Sequence, residues 1–386
     1  MRFAVLGAGK MGRAAVYDLA RANGVTQVDV FDIDESQAQE VARKYGAGKS
    51  SGKSFDASKV AEGGIPNDYF RGYQAILSAV TYKYNPALTK LAIAGGAHFF
   101  DLGGNNDTVA EQFKLDALAK RANVIVIPDC GLAPGMVSII AAGGIAELDT
   151  VDALRIRVGG LPQTPHPPLN YQMVFSAEGL INEYWEPVVI LENGREKIVE
   201  PMSAVERLSF DGIGELEAFY TSGGTSTLPK TYAGKIAFLD YKTIRYPGHC
   251  ALFRPMLEIG LGSRDTLPVN GQSVEPRALF KAVLDRNLSF NEPDLVLVRV
   301  IIEGTSGGRR RRTRFEIVDR QDPTTGLTAM MRTTSFPIAI IAWMAAGGHI
   351  KARGVVPQEG AVDPGMFTAE LGKRGVTVRR YDDLPV

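Results

Sequence analysis

The chain is poor in the residues that build metal centres and disulfide frameworks. Its 386 residues include two cysteines, Cys130 and Cys250, and four histidines, His98, His166, His249 and His349, spaced far apart. No CxxC pair and no His/Cys cluster stands in the sequence, so no metal is expected and a reducing compartment suits the thiols. Net charge is missing as well, since 43 Lys and Arg balance 43 Asp and Glu. A balanced chain lacks the broad positive field of a general nucleic-acid binder, so no nucleic-acid partner is expected. No uninterrupted apolar run approaches the roughly 18 residues of a membrane span. The first residues enter a strand pattern at once rather than a leader, which predicts a cytoplasmic protein with no membrane partner. Hydrophobic residues at 45% and charged residues at 22% are ordinary for a globular chain, and the length suggests two domains.

What the sequence does carry begins at residue 3. The apolar run Phe3-Ala4-Val5-Leu6 meets Gly7, Gly9 and Gly12 at GxGxxG spacing. Such a run supplies a tight turn off a strand, close backbone approach to a pyrophosphate, and close packing of the next helix, whose N-terminus faces the phosphates. Helix-like sequence follows from Arg13 to Ala22, and a second apolar run, Val28-Asp29-Val30-Phe31, ends in Asp32. A carboxylate there accepts the ribose hydroxyls of NAD and repels the 2′-phosphate of NADP. NAD is therefore the expected cofactor, held by Gly7, Gly9, Lys10, Met11, Gly12 and Asp32, with Ala79, Val80 and Gly103 from later strand ends.

Strand-like segments at 2–6, 27–31, 74–79, 97–101 and 123–127 alternate with helix-like segments at 11–22, 35–45, 86–95 and 109–121. This alternation predicts an α/β fold, an N-terminal Rossmann domain with a doubly wound parallel sheet over residues 1–135. A helix over 136–149 leads into a region where strands dominate, at 151–158, 188–191, 236–245, 255–261 and 295–303, the last pairing 313–319. Residues 136–333 read as an α+β substrate domain on a mostly antiparallel sheet. The apolar helix at 334–349 opens a C-terminal segment, 334–386, expected to return to the first domain.

Ligands of a doubly wound sheet bind past the carboxyl ends of its strands. Tyr82, Asp101 and Asp129 follow such ends and are the catalytic candidates, with Asp101 alternatively capping a turn through an Asx bond. The segment around Asp129 also holds Cys130, which has no evident His partner, and Pro134, which suits the first turn of the next helix. Thr225 in the hydroxyl-rich loop Thr221–Thr227 and Arg245 are substrate-binding candidates. Arginine offers a planar fork for a carboxylate, the plain alternative being a structural ion pair. Glu178 and Glu183 could bind an amine or lie on a helix surface. Arg309–Arg312 with Arg314 form a basic run beside Gly307-Gly308, read as a solvated hairpin tip.

Taken together these strings resemble the saccharopine dehydrogenase-like family of amino-acid dehydrogenases and reductases, most of all its NAD-dependent L-lysine 6-dehydrogenase branch. The segments are VLGAGKMG at 5–12, HFFDLGGN at 98–105, IPDCGLAPGM at 127–136, VGGLPQ at 158–163, VFSAEGLINEY at 174–184, FYTSGGTSTL at 219–228, DYKTIRYPGH at 240–249 and ARGVVPQE at 352–359. The resemblance implies a substrate and dimerisation domain, hence a homodimer or higher homo-oligomer. It also implies oxidative deamination of the ε-amine of L-lysine to allysine, which cyclises to the piperideine carboxylate, with release of ammonia. Saccharopine reductases of the family carry an acid where this chain has Ala133, which favours a substrate without a glutaryl arm. A saccharopine or carboxynorspermidine-type dehydrogenase is the alternative enzyme, and an NAD(H)-binding sensor or assembly protein the alternative outside catalysis.

Overall fold

The computed structural model describes residues 1–290 and 292–382. The chain divides into two compact units. The first holds Met1–Ala146 and Met331–Val378, and the second holds Glu147–Met330 with the strand Arg379–Tyr381.

The first unit is built on a seven-stranded sheet in which every pairing is parallel. Its order runs Gly354–Val355, Ile125–Ile127, His98–Asp101, Ala75–Ser78, Arg2–Leu6, Gln27–Asp32, Ser50–Ser54. The central strands are continuous apolar runs because helices cover both faces; Phe3 to Leu6 are fully buried. The order reverses between Arg2–Leu6 and Ala75–Ser78, which creates a crevice at their carboxyl ends. The edge strand Ser50–Ser54 reads SSGKS and has no apolar signal; it forms because Gly52 lets it lie against helix Glu35–Tyr45, where a Cβ would meet Gln39 N at 2.2 Å. The expected helix at 109–121 is two helices, Asn106–Phe113 and Asp116–Arg121.

The unit boundary falls at Ala146 rather than Gly135. Helix Met136–Ile145 packs on the short helix Gln358–Ala361 and on Pro364–Lys373, both of the first unit. Pro364 lies so close that a Cβ on Gly143 would approach it to 2.9 Å. Pro134 precedes this helix, which starts at Met136, instead of sitting in its first turn. Helix Ala329–Ala346 runs into the first unit, where Ser335 Oγ donates to Met11 O at 2.8 Å and Trp343 Nε1 to Asn23 O at 2.9 Å. It is long and apolar enough to cross a membrane, yet 78% of it is buried, as in a core helix. The C-terminal segment does not stay in the first unit, since Arg379–Tyr381 pairs with Arg309–Arg320 of the second.

The second unit carries a nine-stranded mixed sheet, mostly antiparallel, with one parallel pairing between Thr150–Pro162 and Ile236–Arg245. Thr150–Pro162 also pairs Asp294–Ser306, which pairs Arg309–Arg320 across the Gly307-Gly308 turn. Residues 255–261, expected as a strand, are helical. Helix His249–Met256 continues into a wider turn over Leu257–Leu261, because Phe253 and Leu257 share one helical face and both bury in the same apolar cluster. The arginine run is tied down by ion pairs of Arg310 to Asp152 at 2.6 Å and of Arg312 to Glu303 at 3.1 Å, and by a cation–π contact of Arg314 over the Tyr381 ring at 4.5 Å.

Candidate functional site

In the first unit the glycine run has the geometry of a dinucleotide cradle. Gly7 adopts φ +99° and lies against the end of the neighbouring strand, where a Cβ would meet Ala79 O at 2.8 Å and Val80 Cγ1 at 3.2 Å. At Gly12 a Cβ would overlap Gly7 O at 1.7 Å, so the helix approaches the strand end only because residue 12 is glycine. Gly9, at the start of helix Lys10–Arg21, faces open space. Lys10 is exposed and Met11 half-buried beside it. Asp32 ends the next strand and folds back on the loop, its Oδ2 accepting from Ala8 N at 2.6 Å and its Oδ1 from Asp34 N at 3.0 Å. The carboxylate stays half-buried, with lone pairs left for sugar hydroxyls. These residues fit a dinucleotide, with the open backbone at Gly9 where a pyrophosphate would lie and Asp32 beside it.

The next two strand ends meet in one cluster. Asp101 is fully buried; its Oδ1 accepts from Gly103 N at 2.8 Å and Asp129 N at 3.3 Å, and its Oδ2 from Gln112 Nε2 at 2.7 Å. Burial raises its pKa, against those three donors. Gly103 and Gly104 follow in left-handed conformations at φ +74° and +125°. The Asp129 carboxylate occupies the space of a Gly103 side chain, and the Tyr82 ring packs on Gly104. Tyr82, Asp101, Gly103 and Asp129 are thus brought together, with Asp101 as the strut beneath the turn. Cys130 is buried there too, and burial with the Asp101 and Asp129 carboxylates pushes its thiol well above the ordinary range, unsuited to nucleophilic attack.

In the second unit Arg245 ends strand Ile236–Arg245 at 2% exposure. Alternation along the strand puts Tyr241, Thr243 and Arg245 on one face and Asp240 and Lys242 on the other. The second face is ionically complete: Arg157 makes a bidentate pair with Asp240 at 2.7 and 2.9 Å, and Lys242 meets Glu206 at 2.7 Å. Arg245 is different. Its Nη1 donates to Ile244 O at 2.9 Å and its guanidinium lies 4.7 Å from the Tyr171 ring centroid and 5.6 Å from that of Tyr184. Among the described residues its Nε has no hydrogen-bond partner and no carboxylate forms an ion pair with it. His249 Nδ1 bonds to Leu169 O at 2.8 Å, so the Nδ1 tautomer carries the proton and Nε2 accepts from Tyr184 Oη at 3.2 Å. Burial and the Arg245 charge hold this imidazole neutral, its pKa lowered to about 3. Thr221 and Thr243 share a hydroxyl bond at 2.6 Å, and Thr225 is buried in the same loop, its carbonyl accepting from Leu228 N at 3.0 Å.

Comparison with known proteins places both units. Residues 3–127 match the saccharopine dehydrogenase NADP binding domain and residues 131–376 the saccharopine dehydrogenase C-terminal domain. The chain belongs to the saccharopine dehydrogenase family. Its fold is similar, with a TM-score of 0.81, to the apo saccharopine dehydrogenase (L-Glu forming) of Saccharomyces cerevisiae, at 16% identity over 99% of this chain and 100% of that one. The mitochondrial alpha-aminoadipic semialdehyde synthases of Rattus norvegicus and Bos taurus are each 23% identical over 70% of this chain. The matched region spans 30% of those longer proteins.

Within this saccharopine dehydrogenase-family chain, the two glutamates of helix Ala177–Trp185 part company. Glu178 is bound by Arg264 at 2.5 Å and Arg277 at 3.0 Å, away from Arg245. Glu183 is the acid whose charge couples to Arg245, and burial pushes its carboxyl up to about 7 against that cation. Five residues along a helix turn through about 140°, so the two cannot share a face. Tyr171 and Tyr184 are site residues that sequence reasoning missed: no motif marks Tyr171, and Tyr184 closes the segment VFSAEGLINEY without a sign that it meets Arg245, although the period-2 pattern of the Arg245 strand does point to Tyr241 and Thr243.

Proposed function

We propose that the chain is an NAD-dependent dehydrogenase that deaminates the ε-amine of L-lysine to allysine. The observation that carries this reading is Arg245: a guanidinium almost fully buried, with an unpartnered Nε and no ion pair among the described residues. Leaving a cation in that state is costly unless a ligand anion completes it, and an α-carboxylate supplies the two oxygens its fork requires. Thr225 and its loop complete the carboxylate pocket.

Bound NAD supplies the hydride acceptor. Asp32 takes the ribose hydroxyls and disfavours a 2′-phosphate, which selects NAD over NADP. Tyr82, Asp101 and Asp129 manage the protons. The ε-ammonium, with an ordinary pKa near 10.4, must lose a proton before hydride can leave, and water must then add to the imine. Asp101 acts through the turn it holds, which fixes Tyr82 and the Asp129 carboxylate beside each other. Proton loss from an ammonium places the optimum above neutral pH. Ala133 favours a substrate with no second acidic arm.

Saccharopine oxidation is the second reading, favoured by the fold likeness along the whole chain. NADH formation with lysine, ornithine and saccharopine, with NAD and with NADP, separates the readings. NADH and ammonia from lysine are expected. Turnover of saccharopine alone would replace lysine as the substrate, and no turnover with any of them would overturn the dehydrogenase reading.

A further inference from the structure

Glu183 sits at the end of helix Ala177–Trp185, with its carbonyl accepting from Ser222 N at 2.8 Å, so the helix end and the hydroxyl-rich loop are fixed together. Gly224 of that loop rests on the Tyr241 ring, where a Cβ would come within 2.3 Å of the phenol carbons. Any other residue there would push the loop off the aromatic floor. Glu183 keeps partial solvent access, and the ring of the next residue, Tyr184, lies against the buried Arg245 guanidinium. Its carboxylate makes no hydrogen bond or ion pair among the described residues, and it does not bridge to Arg245. The groups whose charge bears most on Arg245 are the phenols of Tyr184 and Tyr171, the Glu183 carboxylate and the phenol of Tyr241. Those phenols are neutral at pH 7 because burial raises them, Tyr171 to about 12, and His249 is neutral as well. The tyrosine rings thus stand with one cation and one acid, neither of them in an ion pair among the described residues.

We propose that Glu183 binds the α-ammonium of an amino acid whose carboxylate is held by Arg245, so that the second unit reads the zwitterionic head common to α-amino acids. This rests on the reading of Arg245 as a carboxylate site, and it deepens it. No ion pair joins Glu183 to Arg245 among the described residues, and a zwitterion supplies a complementary charge to each. The tyrosine rings around Arg245 add a π-face for the ammonium. Glu183 is part-protonated near pH 7; an arriving ammonium favours the carboxylate and releases that proton.

Norleucine and hexanoate test this, because neither has an ε-amine and both bind or fail to bind whatever the reaction. Calorimetric titration should find norleucine bound about tenfold or more tightly than hexanoate, the worth of a charged hydrogen bond. In Glu183→Gln that preference should largely vanish, with hexanoate bound as tightly as by wild type below pH 7 and more tightly above it. On the wild-type protein alone, norleucine affinity should rise as pH climbs to about 7 and then level, whereas hexanoate affinity should fall as Glu183 ionises. An unchanged preference in Glu183→Gln, or the same pH slope for both ligands in the wild type, overturns the assignment. No NADH from lysine beside a retained, Glu183-dependent preference for norleucine overturns the lysine reading and supports this one. Hexanoate affinity unmoved by Arg245→Ala overturns both.

Discussion

Replacing Arg245 with methionine should move stability and ligand affinity in opposite directions. The side chain is 2% exposed, and desolvating a guanidinium costs several kcal/mol. What the protein returns is one hydrogen bond to Ile244 O and two ring contacts, at 4.7 and 5.6 Å. Those are worth about 1.5–3 kcal/mol for a charged hydrogen bond and about 0.5–2 kcal/mol per ring. The two sides nearly cancel, so methionine, which fills most of the same volume without a charge, should leave unfolding within about 1–2 kcal/mol of wild type or stabilise it. That is a change of a few degrees in Tm for a domain of this size. Affinity for norleucine should fall about 10- to 100-fold, because the bidentate contact is lost. Thermal unfolding without ligand and calorimetric titration with it measure both on one preparation. A structural, ion-paired arginine would behave in the reverse way, losing about 3–5 kcal/mol of stability on truncation with ligand affinity unmoved, and that pair of results would refute the reasoning.

Other outcomes follow from the same geometry. Asp32→Ala removes both the ribose acceptor and the repulsion of a 2′-phosphate, so the NAD/NADP ratio of kcat/KM should narrow; a wild-type enzyme equally active with NADP would refute the role of Asp32. Asp101→Ala strands the N–H donors of Gly103, Asp129 and Gln112, which predicts a loss of about 2–4 kcal/mol in chemical denaturation. Asp101→Asn keeps an acceptor, and a flip of the Gln112 amide restores the rest, so it should cost only about 1 kcal/mol. His249 has a folded pKa of about 3 and an unfolded one near 6.5. The unfolded chain then binds more protons between these values, so stability falls as pH drops from 6.5 toward 3. The contribution is about 4 kcal/mol. In His249→Phe the acid limb of a stability–pH curve should flatten, and a limb as steep as wild type would show that other groups set it.

Much of the first unit was legible because a buried parallel sheet writes itself as apolar runs separated by helices, and the glycine run fixes where it starts. Strand Ser50–Ser54 was not, because SSGKS forms only against a partner strand and the helix that Gly52 admits. Residues 255–261 misled for the opposite reason. Their alternating Met256, Glu258 and Gly260 against Leu257, Ile259 and Leu261 mimics a strand, but Phe253 and Leu257 pull the segment into helical register against the core. At the sites, the residues named from strand ends were found together, since chain topology alone brings strand ends to one edge. The tyrosines around Arg245 were hidden, because Tyr171 and Tyr184 approach it only through the folding of a loop and a helix. The parting of Glu178 from Glu183, by contrast, is written in their spacing, since helical arithmetic alone turns them to different faces.

The interleaving of the two units along the chain, each drawing on a later segment, sets an order of assembly. Strand Ile125–Ile127 must wait for Gly354–Val355 to pair beside it, a closure of roughly 230 residues whose entropic cost grows only logarithmically with length. During synthesis Glu147–Met330, the second unit short of its strand Arg379–Tyr381, emerges in that interval and can begin to collapse, shortening the effective tether between the separated halves of the first sheet. Until the later segment arrives, the wholly apolar edge Ile125–Ile127 offers unpaired N–H and C=O groups to any passing strand. A nascent chain stalled before residue 354 would therefore expose an adhesive edge that the finished protein conceals with a two-residue strand.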